Sequence, residues 1–219
     1  MLNTVKYIYI VMTIAERRQR QKEDLSKKIL DAAMELFTQQ GFEQTSIRNI
    51  AKVIDYSPTT IYLYYKDKDA IFHALHQQGF NMLSTRMQML MHVDDPFERL
   101  KAMGKIYIAF ALENPKLYEL MFVQSAPIDF VEASEETSWS EGSNAFFYLK
   151  QTLSDCQTTG RFPILDIEPT AFVIWSTLHG MVTLQIKNRC KAISPDNRAA
   201  IVEMGYKNLV HLLHSLGNE

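Results

Sequence analysis

Residues 45–70, TSIRNIAKVIDYSPTTIYLYYKDKDA, constrain the fold more than any other stretch, because three helix starts and two breaks fall within them. Thr45 and Ser46 each offer a side-chain oxygen ahead of Ile47, so either can cap the free N–H groups of a helix start. Ile47, Ile50, Ala51 and Ile54 then recur at helical spacing and form one apolar face. Asp55 and Tyr56 break the pattern, and Ser57-Pro58 restarts it. Serine caps, while proline at the first helical position lacks an N–H that would be unpaired anyway. A residue before proline disfavours helical angles, which sharpens the boundary at Ser57. The new helix, 58–65, spans two turns, with Ile61 and Tyr65 inward and Thr59, Thr60, Leu63 and Tyr64 on the other side. Asp67 caps a third helix that runs on through Ala70, Ile71 and Leu75.

A two-turn helix is not stable alone, so neighbours must hold it. The preceding segment supplies one: Leu25, Ile29, Ala32, Ala33, Leu36 and Phe37 share a helical face. Gly41 follows as a left-handed helix end, and Phe42 can fold back on the last turn. Two readings fit this pattern: a small helical bundle, or a helix-turn-helix whose short second helix meets the edges of DNA bases. The longer string ILDAAMELFTQQGFEQTSIRNIAKVIDYSPTTIYLYYKDKDAIFHAL resembles the DNA-binding domain of the tetracycline-repressor (TetR) family over about 25–76. The resemblance is carried by AAxxLFxxxGF, TSIRxIA and SxxTIYxYYxxKDxI. One departure is Asp55, at the turn position that the family usually fills with glycine; Asp tolerates a left-handed conformation better than most residues.

The resemblance implies that helix 58–65 enters the major groove. Thr59, Thr60, Leu63 and Tyr64 are then positioned for bases or nearby phosphates, with Leu63 suited to a thymine methyl. Thr45, Arg48, Ser57, Tyr62, Tyr64 and Lys68 are candidates for phosphate and positioning contacts, and Pro58 completes the DNA-facing set. Arg48 and Lys68 match family positions that touch DNA. A two-fold homodimer implies a palindromic operator on double-stranded DNA.

Charge is consistent with a basic reading head on an acidic body. Residues 1–78 carry 11 Lys and Arg against 9 Asp and Glu, whereas residues 79–219 carry 12 against 16. The net charge of -2 over the whole chain is no argument against DNA binding, because local charge decides it. Cys156 and Cys190 have neither metal-ligand spacing nor a CxxC pattern and read as small packed side chains. Residues 5–14, VKYIYIVMTI, are too few to span a bilayer, and no small-residue cleavage site follows them. The favoured reading takes Met12 as the native start. Arg17, Arg18, Arg20 and Lys22 are expected as an arm before the first helix, either lying along phosphates or entering the minor groove, or simply solvated. These features divide the chain into an N-terminal tail (1–20), a helix-turn-helix domain (21–78) and a larger helical effector-binding and dimerisation domain (79–219).

The expected fold class is all-α. Beyond residue 90 the periodicity predicts helices at 96–112, 115–124, 141–159, 167–190 and 195–216, after one at 68–91, with an acidic loop or broken helix at 125–140. The runs WSTLHG (175–180) and ENPKLYELMF (113–122) resemble the C-terminal domain of a TetR subgroup named for a Trp, a His and a Gly. That resemblance implies an effector pocket enclosed by the earlier helices and a dimer interface built from the last two. Tyr107, Phe110, Tyr118, Met121, Phe147, Phe172 and Trp175 are the candidate pocket lining among helices 96–186, with His179 and Thr183 as polar handles. Core and interface packing is the competing use of the same side chains.

Enzyme signals are missing: the chain has no phosphate-cradling glycine loop, no HExxH and no GxSxG. His73/His76 and His211/His214 have i, i+3 spacing without an obvious third metal ligand, so no metal or cofactor is expected. Together the residues and the resemblance predict a cytoplasmic, ligand-responsive DNA-binding transcriptional regulator. The leading form is a homodimeric repressor released by a small, apolar or aromatic effector, with no membrane association. An activator on the same scaffold, or a helical ligand-binding protein without DNA binding, stands as the alternative.

Overall fold

A computed structural model describes residues 13–123, 140–163 and 165–216, and every regular element among them is a helix. The chain divides into two compact units, Met1–Phe72 and His73–Glu219. The division falls before the boundary expected after residue 78.

The first unit holds α1 (Ile14–Gln40), α2 (Ile47–Val53), α3 (Pro58–Tyr62) and the start of α4 (Lys68–Met89). α1 opens on a capping box, with Glu16 N–H donating to Thr13 Oγ1 at 3.2 Å and Thr13 N–H donating to the Glu16 carboxylate at 2.6 Å. Nothing in the following residues breaks the helix. The basic cluster Arg17, Arg18, Arg20 and Lys22 therefore lies on α1 and is not an arm preceding it, which shortens the expected tail. The apolar run 5–14 and the Met12 start fall almost wholly outside the described residues.

Ile29, Ala33 and Phe37 of α1, Ile47 and Ile50 of α2, and Ile61 of α3 are buried with Ile71 and Phe72. Gly41, at φ 83, ends α1, and its N–H donates to Phe37 O. Phe42 then folds back so that its ring lies 5.4 Å from Phe37 and 4.8 Å from Phe72. Ser46, not Thr45, caps α2, accepting from Asn49 N–H at 3.2 Å. Asp55 takes the left-handed conformation at φ 58, so the glycine-less turn is kept. α3 is shorter than expected: after Tyr62 the chain tightens, and both Tyr64 and Tyr65 N–H donate to Ile61 O. Ile61 is wholly buried. That burial is worth about 1.5–3 kcal/mol, more than the propensity of so short a helix can supply.

The second unit continues α4 and adds α5 (Pro96–Glu113), α6 (Pro115–Phe122), α7 (Ser140–Thr158), α8 (Ile167–Ile186), the single turn α9 (Pro195–Arg198) and α10 (Ile201–Leu216). α5 packs on α7 and α8, and α10 packs on α8. The seams are read directly from i, i+3/i+4 spacing: Leu100, Met103, Tyr107 and Phe110 on α5, and Ala171, Ile174, Leu178 and Val182 on α8, are all buried. Asp95 caps α5 through Phe97 and Glu98 N–H at 2.8 and 3.0 Å, ahead of Pro96 at the first helical position. These bonds hold its carboxyl below the usual range.

Two ends differ from expectation. α8 stops at Ile186 instead of 190, because Asn188 adopts φ 53 and Arg189 N–H turns back to Leu184 O at 2.8 Å. The helix expected over 195–216 is interrupted at residues 199–200. The loop expected at 125–140 lies outside the described residues, apart from its last position, where α7 begins.

Candidate nucleic-acid interface and effector cavity

The first unit presents α3 with its free face outward. Ile61 anchors it inside, and Tyr65 fixes its exit by sharing a 2.8 Å hydroxyl contact with Ser26 of α1. Ser57 Oγ accepts from Thr60 N–H at 3.1 Å and lies 2.9 Å from the Thr60 hydroxyl, so both side chains spend part of their capacity on the cap. Thr59 is exposed, Tyr62 is 55 % exposed and Leu63 is 77 % exposed. An apolar side chain as open as Leu63 on a helix this short has no role within the unit's core. Pro58 and Tyr64 are half-buried, and Arg48 stands exposed on α2.

Two candidates are placed differently from expectation. Thr45 is buried, and its hydroxyl donates to Gly41 O at 2.9 Å while accepting from Gln40 at 3.2 Å, which leaves it inside the loop and not on the DNA-facing surface. Lys68 Nζ donates to Phe42 O at 3.2 Å and lies 4.2 Å above the Phe42 ring, with Glu43 at 4.0 Å. Its ammonium is thus held by the loop after α1. Tyr56, read in the sequence only as a helix breaker, is 42 % exposed in the turn and adds an aromatic surface beside α3.

The second unit holds a partly open cavity of about 490 Å³. Its lining is almost wholly apolar and comes from α4, α5, α6, α7, α8 and α10. Of the side chains expected to form a pocket, Tyr107, Phe172 and Trp175 line it, and Phe110, Tyr118, Met121, Phe147, His179 and Thr183 do not. Helical phase explains two of these misses. Phe147 points outward, 54 % exposed, while its neighbour Phe146 faces the cavity with its ring 6.1 Å from Trp175. Met121 packs against Gly79, and the adjacent Phe122 faces inward, 5.2 Å from Phe80 and 6.2 Å from Trp175. Phe110 is fully buried elsewhere, with the Arg86 guanidinium 5.6 Å from its ring.

Tyr118 and His179 stand behind the wall as a hydrogen-bonded chain. Trp175 Nε1–H donates to the Tyr107 hydroxyl at 3.1 Å, the Tyr107 and Tyr118 hydroxyls share a hydrogen bond of 2.8 Å, and the Tyr118 hydroxyl lies 2.6 Å from His179 Nδ1. Burial pushes the Tyr107 phenol well above its ordinary value and the Tyr118 phenol up to about 12, and lowers His179. Burial favours the neutral ring, and each of the four side chains has a hydrogen-bond partner within the network. His179 is a strut behind the lining and not a handle within it. Thr183 sits one turn further along α8.

The cavity also exceeds the expected span of 96–186. Phe80, Leu83 and Met87 of α4 line one part, and Tyr206, Leu209, Val210 and Leu213 of α10 another. Gly104 was a usable signal for the second: a Cβ there would meet Tyr206 Cε2 at 2.6 Å, so this mid-helix glycine admits the tyrosine ring. Among the described residues no group of three or more His, Cys, Asp or Glu side chains could hold a metal ion, and no helix is long and apolar enough to cross a membrane. His76 lies 4.8 Å from Phe80, and His214 lies 5.7 Å from Phe97. Both cysteines are free, and burial raises the Cys156 thiol to about 11.

Comparison with known proteins places each unit in a family. Residues 29–75 match the model of bacterial regulatory proteins of the tetR family, and residues 100–209 match the tetracyclin repressor-like C-terminal domain. An uncharacterized HTH-type transcriptional regulator of Haemophilus influenzae is 31% identical over 97 residues, 44% of this chain and 52% of that protein. The matched chain thus spans about half the length of that relative. The HTH-type regulator YhgD of Bacillus subtilis is 26% identical over 69% of this chain and 78% of its own. Among solved structures, the fatty acid degradation regulator FadR of Bacillus halodurans superposes with a TM-score of 0.69 at 21% identity, covering 84% of this chain and 94% of its own.

Proposed function

The chain belongs to the TetR family of DNA-binding transcriptional regulators, and from that premise we propose that it is a homodimeric repressor released by a small apolar effector. The dimer reads a palindromic operator with α3, using Thr59, Thr60, Tyr62, Leu63 and Tyr64 toward the groove and Arg48 toward the backbone. An effector fills the cavity of the second unit and lowers operator affinity by binding one state of the dimer better than the other.

The observation that carries the reading is the pairing, in one chain, of an outward α3 ending in exposed Tyr62 and its cap Leu63 with an apolar cavity. A concave space of this size lined by aromatic and aliphatic groups is the form that small-molecule sites take. Exposed Leu184 and Val173 on α8, with Met204 and Leu212 on α10, support pairing of two copies through these helices.

Selection from random duplex DNA, together with mass measurement in solution, tests the proposal. The expected result is a dimer and an inverted-repeat motif whose binding is abolished by Tyr62→Ala with Leu63→Ala. A monomer that selects no motif sinks it. Repression rather than activation is read from a reporter placed behind the selected site, which should be silenced.

A further inference from the structure

We propose that the effector is an anionic amphiphile, with its apolar tail in the cavity and its anionic head in a lysine-lined groove that adjoins the cavity between α5 and α10. The proposal rests on reading the cavity as the effector site.

The groove, about 650 Å³, is lined in part by Lys101, Lys105 and Lys207, with Glu203 as its acidic member. It shares Lys101, Tyr206 and Val210 with the cavity, so the two spaces meet at these residues. Tyr206 forms the wall between them. Its ring lies against Gly104, and its hydroxyl donates to the Lys101 carbonyl.

The cavity interior offers little to a polar group. Trp175 N–H is given to Tyr107, the Tyr107 hydroxyl is shared with Tyr118, and the Tyr206 hydroxyl is given to Lys101 O. A charged head taken inside would be desolvated without a partner, at a cost that excludes it. The tail therefore goes in and the head stays where cations are. A space of about 490 Å³ is within the usual size of small-ligand sites and has room for an alkyl chain.

The sign of the head follows from the groove's charges. Glu203 pairs with Lys207 at 2.7 Å, and Lys101 pairs with Glu98. Lys105 has no ion-pair partner within 4 Å among the described residues. Three ammonium groups against these two carboxylates leave the groove cationic. Glu168, the acidic residue of the cavity lining, is neutralised by Lys150 at 3.5 Å. A carboxylate and a phosphate head satisfy the same lysines, so the source is left to experiment.

Calorimetric titration of the full chain with dodecanoate, dodecyl phosphate, dodecanol and dodecyltrimethylammonium, each below its micelle concentration, tests this. The anions should bind about tenfold or more tighter than dodecanol, and the advantage should shrink at high salt. The better of the two anions identifies the head. Combining Lys105→Gln and Lys207→Gln, which line the groove and not the cavity, should bring the anions down toward the level of dodecanol and leave dodecanol itself unchanged. If that variant does not fold, Lys105→Gln alone should remove part of the advantage. Equal binding of anion and alcohol, an advantage that survives the lysine changes, or preference for the ammonium overturns the headgroup assignment while the cavity reading stands. If dodecanol also fails to bind, the cavity reading falls with it.

Discussion

The Tyr118 hydroxyl and His179 Nδ1 share a hydrogen bond of 2.6 Å in a half-buried setting. Burial lowers His179 from its ordinary value of 6.5, so the folded ring is neutral where an unfolded one is beginning to charge. As pH falls below 6.5, the unfolded chain takes up a proton that the folded ring resists. The stability due to His179 is thus complete above its ordinary value and is lost as pH falls toward the depressed folded value. His179→Gln keeps an acceptor for Tyr118 and removes the titration. Urea melts of both proteins above and below the histidine range should show the wild type losing more stability on acidification than the variant. Equal losses would mean that His179 does not titrate against the fold.

Gly79 gives a prediction about packing. A Cβ at this position would lie 2.4 Å from Met121 Sδ and 2.8 Å from its Cγ. Gly79→Ala gains about 1 kcal/mol in helix propensity and loses about 1–3 kcal/mol to overpacking. The atoms in the way lie along the Met121 side chain and not at its tip, so overpacking should win. The variant should melt lower than wild type, and adding Met121→Ala should make the Gly79→Ala step stabilising. A Gly79→Ala protein more stable than wild type on its own would show that α6 gives way freely.

Arg99 is buried with its guanidinium shared by Asp155, Thr152 at 3.1 Å and Val93 O at 3.1 Å. Asp155 side-chain exposure is 35%, so solvent screens the pair in part. Asp155→Asn should then cost about 2 kcal/mol, below the range for a fully buried pair, because the arginine keeps two partners. Arg99→Met, which removes the buried charge as well, should cost less than Asp155→Asn combined with Thr152→Val. Chemical denaturation of the three variants checks the order; an Asp155→Asn protein as stable as wild type would refute it.

The local rules of helix starts carried most of the fold. Ser57-Pro58, Asp95-Pro96 and Asn114-Pro115 begin helices where the sequence says they should, because caps and prolines act within one turn. Asn188 was missed as a stop, since nothing around it distinguishes a left-handed asparagine from one that stays in a helix. The cavity was less legible. Aromatic supply identified α5 and α8, but Phe146 for Phe147 and Phe122 for Met121 are decided by rotation of roughly 100° per residue about the helix axis, which depends on what packs outside. The α10 lining was hidden because its apolar face also suits pairing of two chains.

The last prediction separates two cations that the sequence treats alike. Arg48 is exposed on α2, whereas Lys68 is tied to Phe42 by a 3.2 Å hydrogen bond and a 4.2 Å approach to its ring. If Arg48 meets a phosphate, Arg48→Ala should weaken binding to all duplexes alike and reduce the salt slope by about 0.9, with the melting temperature unchanged. Lys68→Ala should behave differently. Losing the contacts to Phe42 should destabilise the first unit by about 1 kcal/mol, lowering operator affinity through its fold. Lys68→Met, which keeps the apolar stem over the ring, should recover part of that stability. Salt titrations and thermal melts on the three variants distinguish the roles. A Lys68→Ala protein with wild-type melting and a slope reduced as far as that of Arg48→Ala would show that Lys68 leaves Phe42 to bind the backbone.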